Sequence, residues 1–299
     1  MKKVFVGMGE ALWDILPEGP RIGGAPANFV WHAGQFGFES VAVSAVGEDI
    51  LGDDIVRTFD GMGLRHCLGR VGFPTGTVQV TLDINGIPTY DICEGVAWDH
   101  IPWSAELETL AARTDVFCFG SLAQRNEVSR DSIRRFLQHM PVRKESLRVF
   151  DINLRQRFYS RDVILESLEA CNILKMNDEE LEILSAMFGL SGTFDDRTLE
   201  LFRKFGLRCL IVTCGARDSH VFTEEVHSVI ETPQVAVRDT VGAGDSFCAA
   251  LCAALCAGME VREAHRLAVD VSAWVCTQPG AMPTLPDTLI SRIRWLRGV

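Results

Sequence analysis

The stretch Asp239-Thr240-Val241-Gly242-Ala243-Gly244-Asp245-Ser246-Phe247 decides the reading of this chain. An extended-looking run, Gln234 to Val237, precedes it, and an apolar stretch from Phe247 to Ala257 that reads as a buried helix follows it. Two glycines at such a junction let the backbone turn sharply and bring successive N–H groups close to a ligand. The first turn of a helix leaves N–H groups unpaired and carries a partial positive charge, which suits an anion. Asp245 falls in that same turn. A carboxylate beside an anion hole is unfavourable unless it has chemical work, such as taking a proton from an attacking hydroxyl. Read only as G-x-G-D, the segment is a helix cap with flexible glycines.

Working outward, Val4 to Gly9 is an apolar strand ending in glycines. Gly7-Met8-Gly9 begins a dinucleotide-type G-x-G-x-x-G pattern, but Leu12 stands where the third glycine belongs, and Glu48 lies well past the ribose-binding spacing. Trp13 to Leu16 reads as a short strand and Pro17 to Pro20 as a turn, which makes Asp14 a surface turn residue on sequence alone. Gly23-Gly24-Ala25-Pro26-Ala27-Asn28 then leads into a helix-like run, Phe29 to Phe36. Paired glycines permit close approach to a ligand, Pro26 suits a first helical turn, and Asn28 offers a donor and an acceptor. A glycine-rich strand-to-helix turn is the plain alternative. Phe29 and Trp31 read as core packing, and His32 as a packed or half-exposed helix residue.

Val41 to Val46 is a second strand and Gly52 to Met62 an amphipathic helix. Thr77 to Leu82 alternates, Asn85-Gly86 gives a tight turn and Pro88 to Ile92 returns, which predicts a β-hairpin. From Val116 onward short apolar runs (Val116 to Gly120, Leu147 to Asp151, Ile173 to Met176, Cys209 to Thr213) alternate with helix-like segments near 129–140, 161–170, 177–189 and 195–205. That alternation predicts an α/β fold, a mostly parallel sheet with helices on both faces. Ligands in such sheets bind beyond the carboxyl ends of the strands. The polar clusters Asp151-Ile152-Asn153-Leu154-Arg155, Asn177 to Glu180 and Thr213-Cys214-Gly215 fall at those ends. Each also has a plain reading: Arg155 as a surface charge, Asn177 and Glu180 as a capping-box pair, Gly215 as a turn. Helices over 261–276 and 286–296 close the chain.

Composition narrows the classes. The 299 residues suffice for one large domain or two modest ones, and 47% hydrophobic with 23% charged residues is ordinary globular content. A formal charge of −11 argues against a general nucleic-acid or anionic-membrane surface. No apolar run reaches membrane-span length and Met1-Lys2-Lys3 enters a strand-like segment directly, so the expectation is a cytoplasmic protein. The ten cysteines lack C-x-x-C pairs. Cys248, Cys252 and Cys256 recur at helical spacing, which fits small buried hydrophobes better than a three-thiolate metal site with no nearby histidine.

The nine residues from Asp239 resemble the C-terminal signature of the ribokinase-like (PfkB) family of sugar and nucleoside kinases, and the GGAPAN segment resembles that family's N-terminal signature in its fructokinase form. The two lie about 215 residues apart in the right order, and the resemblance runs from the first strand to the loop at 280. It implies a three-layer α/β/α ribokinase-like fold, one domain over 1–299, with a small β-sheet lid from about 12–22 and 73–98. It implies Asp245 as catalytic base, with the amides of Gly242, Ala243, Gly244 and Asp245 as anion hole. Asp14, Gly23, Gly24, Asn28 and Arg155 would bind the sugar. Asn177, Thr213, Gly215, Thr240, Gly242, Gly244 and Gly280 would bind the nucleotide. Glu180 and Asn177 would hold Mg2+ through water, and Asp239 with Val241 a monovalent cation such as K+. Gln278 and Pro279 stand where many relatives carry basic residues.

The expected activity is ATP-dependent phosphorylation of a sugar primary hydroxyl, fructose first, with ribose, 2-keto-3-deoxygluconate or a nucleoside as alternatives. A catalytically silent sugar sensor is the reading from another class; the intact G-A-G and Asp245 speak against it. Walker-type kinases are excluded, since no G-x-x-x-x-G-K-[ST] occurs. An exposed hairpin with one apolar face needs a cover, and the family's lids often pair, which predicts a lid-mediated homodimer.

Overall fold

A computed structural model describes residues 2–16, 19–82, 88–294 and 296. Its strands are β1 (Val4–Met8), β2 (Leu12–Leu16), β3 (Gly19–Gly23), β4 (Glu39–Gly47), β5 (Arg65–Val71), β6 (Gly76–Leu82), β7 (Pro88–Ile92), β8 (Val116–Phe119), β9 (Leu147–Asp151), β10 (Ile173–Asn177), β11 (Cys209–Thr213), β12 (Asp218–Phe222) and β13 (His227–Glu231). Its helices are α1 (Ala25–Gln35), α2 (Ile50–Met62), α3 (Ala105–Ala111), α4 (Glu127–His139), α5 (Arg161–Ala170), α6 (Asp178–Phe188), α7 (Phe194–Lys204), α8 (Ala243–Cys256), α9 (Val261–Cys276) and α10 (Asp287–Arg294).

The large sheet has the order β13-β12-β11-β10-β9-β8-β1-β4-β5. Its pairs are parallel from β11 to β5, while β12 runs antiparallel to both of its neighbours, β11 and β13. Alternation along β1 explains the layering, because successive side chains of a strand face opposite ways. Phe5 joins a core with Phe29, Ile55, Leu251, Leu267 and Ile293, from α1, α2, α8, α9 and α10. Val4, Val6 and Met8 join the opposite core with Leu107, Phe136, Ile164, Leu184 and Leu201, from α3 to α7. The result is a three-layer α/β/α fold.

Helix α8 is apolar on all sides, as a helix enclosed by protein must be. Ala249, Ala250, Ala253 and Ala254 are fully buried together with Cys248 and Cys252, so these thiols act as small hydrophobes in the core. A second sheet, ordered β3-β2-β6-β7, is built from the two segments expected to form the lid. β2 and β6 pair in parallel; the outer pairs are antiparallel. The Asn85-Gly86 turn lies outside the described residues, and the strands flanking it pair from Val78 with Ile92 to Leu82 with Pro88.

Several expectations need correction. Gln234 to Val237 joins no strand, and α8 begins at Ala243 rather than Phe247, with Gly244 and Asp245 in its first turn. Strands β3, β5, β12 and β13 and helix α3 were not anticipated. Of the turn expected at Pro17 to Pro20, Gly19 and Pro20 belong to β3, and residues 17 and 18 lie outside the described set. The chain after Gly9 enters β2 instead of a helix, so the partial dinucleotide motif lacks its structural context. Because β8 to β11 and β1 are parallel, their carboxyl ends share one edge. β1 and β8 are neighbours far apart in sequence, and there the strand order reverses, the place where sheets of this kind form a ligand crevice.

Candidate active site

Two helix N-termini converge at that crevice. Gly24 caps α1 with φ 129°, and a Cβ there would come within 2.2 Å of the Glu10 carbonyl oxygen, so only glycine fits. Gly242 caps α8 with φ 77°, and its added Cβ would meet Ala281 at 2.7 Å. From these first turns Asn28 Nδ2 donates to Asp245 Oδ2 at 2.7 Å. Asn28 is buried, and its Oδ1 has no partner. The Ala243 N–H reaches the Thr240 carbonyl only at 3.3 Å.

Charge is concentrated around Asp245. Burial, and then Asp151, lift its pKa to about 6, against the pull of Lys175, Asn28 and Arg155. Lys175 Nζ donates to Asp151 Oδ1 at 2.9 Å in a buried pair. Burial works against the Lys175 charge, but Asp151, Glu180 and Asp245 more than offset it and hold the ammonium protonated. That ammonium stands against the glycine turn, 2.8 Å from where a Cβ of Gly244 would be. Glu10, just past β1, is 5% exposed; its Oε1 accepts from the Ala25 N–H at 3.2 Å and its Oε2 is unpartnered. Burial raises its pKa to about 7, with Asp245 adding to the rise. Arg155 is exposed and acts on both carboxylates through space. Its loop carries Asn153 and Gln156 at φ 43° and 49°, a left-handed conformation that non-glycine residues adopt under local constraint.

Asp14 projects from β2 beside Gly23 and is half-buried; burial, then Asp239, raise its pKa to about 6. Asp239 joins three segments. Its Oδ1 accepts from the Val241 N–H at 3.0 Å, and its Oδ2 accepts from the Gly280 N–H at 3.0 Å and from Arg21 of β3 at 3.1 Å.

On the far side of the glycine turn, Asn177 and Glu180 form the anticipated capping box. Asn177 Oδ1 accepts from the Glu180 N–H at 2.7 Å, and Glu180 Oε2 from the Asn177 N–H at 2.8 Å. Glu180 Oε1 also accepts from the Leu154 N–H at 2.8 Å, which ties α6 to the loop of Arg155. Thr213 pairs with Asn177 in register, and Gly215 follows at φ 58°. The loop at 280 is held by α1: His32 Nε2 donates to the Ala281 carbonyl at 2.9 Å, and Trp31 Nε1 to that of Pro283 at 3.3 Å. Burial lowers the His32 pKa to about 4, so His32 is a neutral tether and not a catalyst. Phe29 is core, as expected.

Residues 20–288 match the sequence profile of the pfkB family of carbohydrate kinases. The chain belongs to that family. It is 29% identical over 320 residues to a probable fructokinase-3 of Arabidopsis thaliana, covering 96% of this chain and 90% of that one. It is 28% identical over 315 residues to fructokinase-1 of Oryza sativa subsp. japonica, covering 95% of each. In fold it is similar to a fructokinase with bound ATP from Xylella fastidiosa (TM-score 0.85, 20% identity, all of both chains). It is also similar to a Vibrio cholerae fructokinase double mutant bound to fructose, ADP and potassium ion (TM-score 0.80, 22% identity, 98% of both chains).

In this pfkB kinase Asp151, Asn177 and Thr213 end parallel strands at one edge of the large sheet, Asp14 and Gly23 come from the small sheet, and Asn28 and Asp245 are in direct contact. Two groups of that edge were missed. Lys175 sits inside an otherwise apolar strand, between Leu174 and Met176; a charge there is rarely buried without a partner, and that was the available signal. Glu10 directly follows a strand's carboxyl end, the position where polar residues deserved the same scrutiny as Asp151 and Asn177.

Proposed function

We propose that this protein transfers the γ-phosphoryl group of ATP to a primary hydroxyl of a ketose, fructose first. The observation that carries the reading is the 2.7 Å bond from Asn28 to Asp245, with Asn28 Oδ1 buried and unpartnered beside it. A sugar hydroxyl donating to Asn28 Oδ1 satisfies that acceptor and brings its neighbours to the base. Asp14 and the Gly23–Gly24 backbone bind further hydroxyls, since a carboxylate accepts more than one hydrogen bond. The attacking oxygen forms a bond to the γ-phosphorus as the bond to the β,γ-bridging oxygen breaks, ADP departs, and Asp245 takes the hydroxyl proton. A pKa near 6 suits that task, because the group is ionised at neutral pH yet basic enough to accept a proton.

The first-turn N–H groups from Gly242 to Asp245 and the ammonium of Lys175 stabilise charge on the transferring oxygens. Arg155 adds positive charge on the open side. Thr240, Thr213, Gly215 and Gly280 line the nucleotide side. Magnesium, when bound, would neutralise the β- and γ-phosphates; both Glu180 oxygens take backbone N–H groups, so Glu180 and Asn177 fit it through water. A monovalent cation at Asp239 and Val241 would have to share the carboxylate with Arg21. The small sheet acts as a lid over the sugar, the whole chain as one domain, and two lids pair in a homodimer.

The test is ADP release with ATP, magnesium and potassium across a panel of sugars and nucleosides. Strong turnover on fructose supports the reading. Turnover on ribose, 2-keto-3-deoxygluconate or a riboside keeps the mechanism and replaces the substrate. Sugar binding without turnover on any member overturns the enzyme assignment in favour of a sensor.

A further inference from the structure

The β12–β13 hairpin and the first turn of α7 bring together Asp195, His220 and His227, away from the crevice. One ligand atom from each lies within 4.8 Å of the others. His220 Nδ1 and His227 Nε2 are 3.1 Å apart. Two donors bound at about 2.0–2.1 Å to a tetrahedral ion stand roughly 3.3 Å apart, so the pair is already near ligand spacing.

The surroundings match what a metal-binding histidine needs. His220 Nε2 lies 3.3 Å from Asp218 Oδ1. A carboxylate there holds the Nε2 proton and leaves the Nδ1 lone pair facing His227, the second-sphere arrangement of ligating histidines. Aromatic contacts fix both rings: His220 lies tilted against Phe194 at 4.6 Å, and His227 stacks on Phe222 at 3.9 Å between centroids. The alternation of the hairpin explains why these two rings share a face. Ser219 and Ser228 turn the other way, onto buried His265 of α9.

We propose that His220 Nδ1, His227 Nε2 and a carboxylate oxygen of Asp195 bind one divalent cation of the zinc type, with water completing the coordination. Borderline ions with imidazole and carboxylate donors favour this set over magnesium, which prefers oxygen alone. The ion clamps the antiparallel edge of the large sheet to the start of α7. Cys214, Asp218 and His220 form a competing triad that shares one histidine. The Asp218 carboxylate cannot be first-sphere ligand in that triad and second-sphere partner in this one.

The experiment uses the full chain, stripped with chelator and dialysed against Zn2+ in excess Mg2+. We expect one tightly bound zinc per chain, lost in His227→Gln, and a melting temperature that rises with zinc in the parent but not in that variant. Asp218→Asn should weaken binding about 10- to 100-fold, the usual effect of removing a second-sphere carboxylate. Co2+ in place of zinc should give a low-coordinate spectrum without a thiolate charge-transfer band. Circular dichroism of each variant matching the parent excludes unfolding as the cause of lost zinc. Tight zinc retained in His227→Gln, unchanged affinity in Asp218→Asn, or a thiolate band with Co2+ would each overturn the assignment.

Discussion

Asp245→Asn should make the protein both inactive and more stable. Asparagine is nearly isosteric, and its Oδ1 can keep the bond from Asn28, so the perturbation is close to removal of one charge. The wild-type carboxyl titrates at about 6 instead of 3.8, because burial and Asp151 disfavour its anion. At ~1.4 kcal/mol per pKa unit, the ionised group costs the fold about 3 kcal/mol. The folded state holds this proton more tightly than the unfolded chain, so the wild type loses that stability as pH rises from about 4 through 6. The variant does not titrate there. Urea denaturation of both proteins at pH 4 and pH 7 measures the difference; subtraction cancels Asp14 and the burial part of Glu10, and the relief of Glu10 from the Asp245 charge adds to the variant's advantage with the same sign. The variant's advantage should appear only at the higher pH. Turnover should fall at least about 10²-fold, the low end for loss of a general base. A variant less stable than wild type at pH 7 would refute the burial argument; near-normal turnover would refute the base.

Three further perturbations probe other parts of the structure. Gly242→Ala adds a methyl 2.7 Å from Ala281 at a left-handed φ, and should lower kcat while leaving sugar affinity, read by equilibrium binding, within about 3-fold. Asp99→Ala strips the partner from Arg125, which lies buried between Trp98 and Phe158, and should cost about 3–5 kcal/mol in denaturant titration. His32→Leu leaves the Ala281 carbonyl unpaired; it should cost about 1–3 kcal/mol in the same titration and raise the KM for ATP more than that for sugar.

The sequence disclosed most where local pattern and tertiary role coincide. The alternation of apolar strands and amphipathic helices after Val116 is a periodic signal, and it appears in the structure almost unshifted. One glycine in each signature, Gly24 and Gly242, stands where backbone geometry admits no other residue. What escaped reading was non-local. β12 and β13 pass as polar loop because their outward positions carry Asp218, His220, His227 and Val229, and only the packing of their inward residues on α9 makes them strands. The tethering of the 280 loop by Trp31, His32 and Gln35 joins segments about 250 residues apart, and no spacing rule foretells it. Glu180 illustrates a different limit: its cap was legible, whereas its bond to Leu154 depends on β9 and β10 lying side by side.

Arg21 and Asp239 have a consequence for the order of events. This ion pair runs from the small sheet to the glycine turn, and under the proposed function it bridges the sugar and nucleotide sides of the site. If closing the small sheet strengthens the pair, sugar binding rigidifies the turn before the second substrate arrives. Thermodynamic reciprocity then obliges nucleotide to tighten sugar by the same factor. An enzyme built this way binds its two substrates synergistically, and a water molecule, which cannot draw the sheet down, meets a poorly assembled site. The same surface pair would thus restrain wasteful hydrolysis of ATP in the absence of sugar.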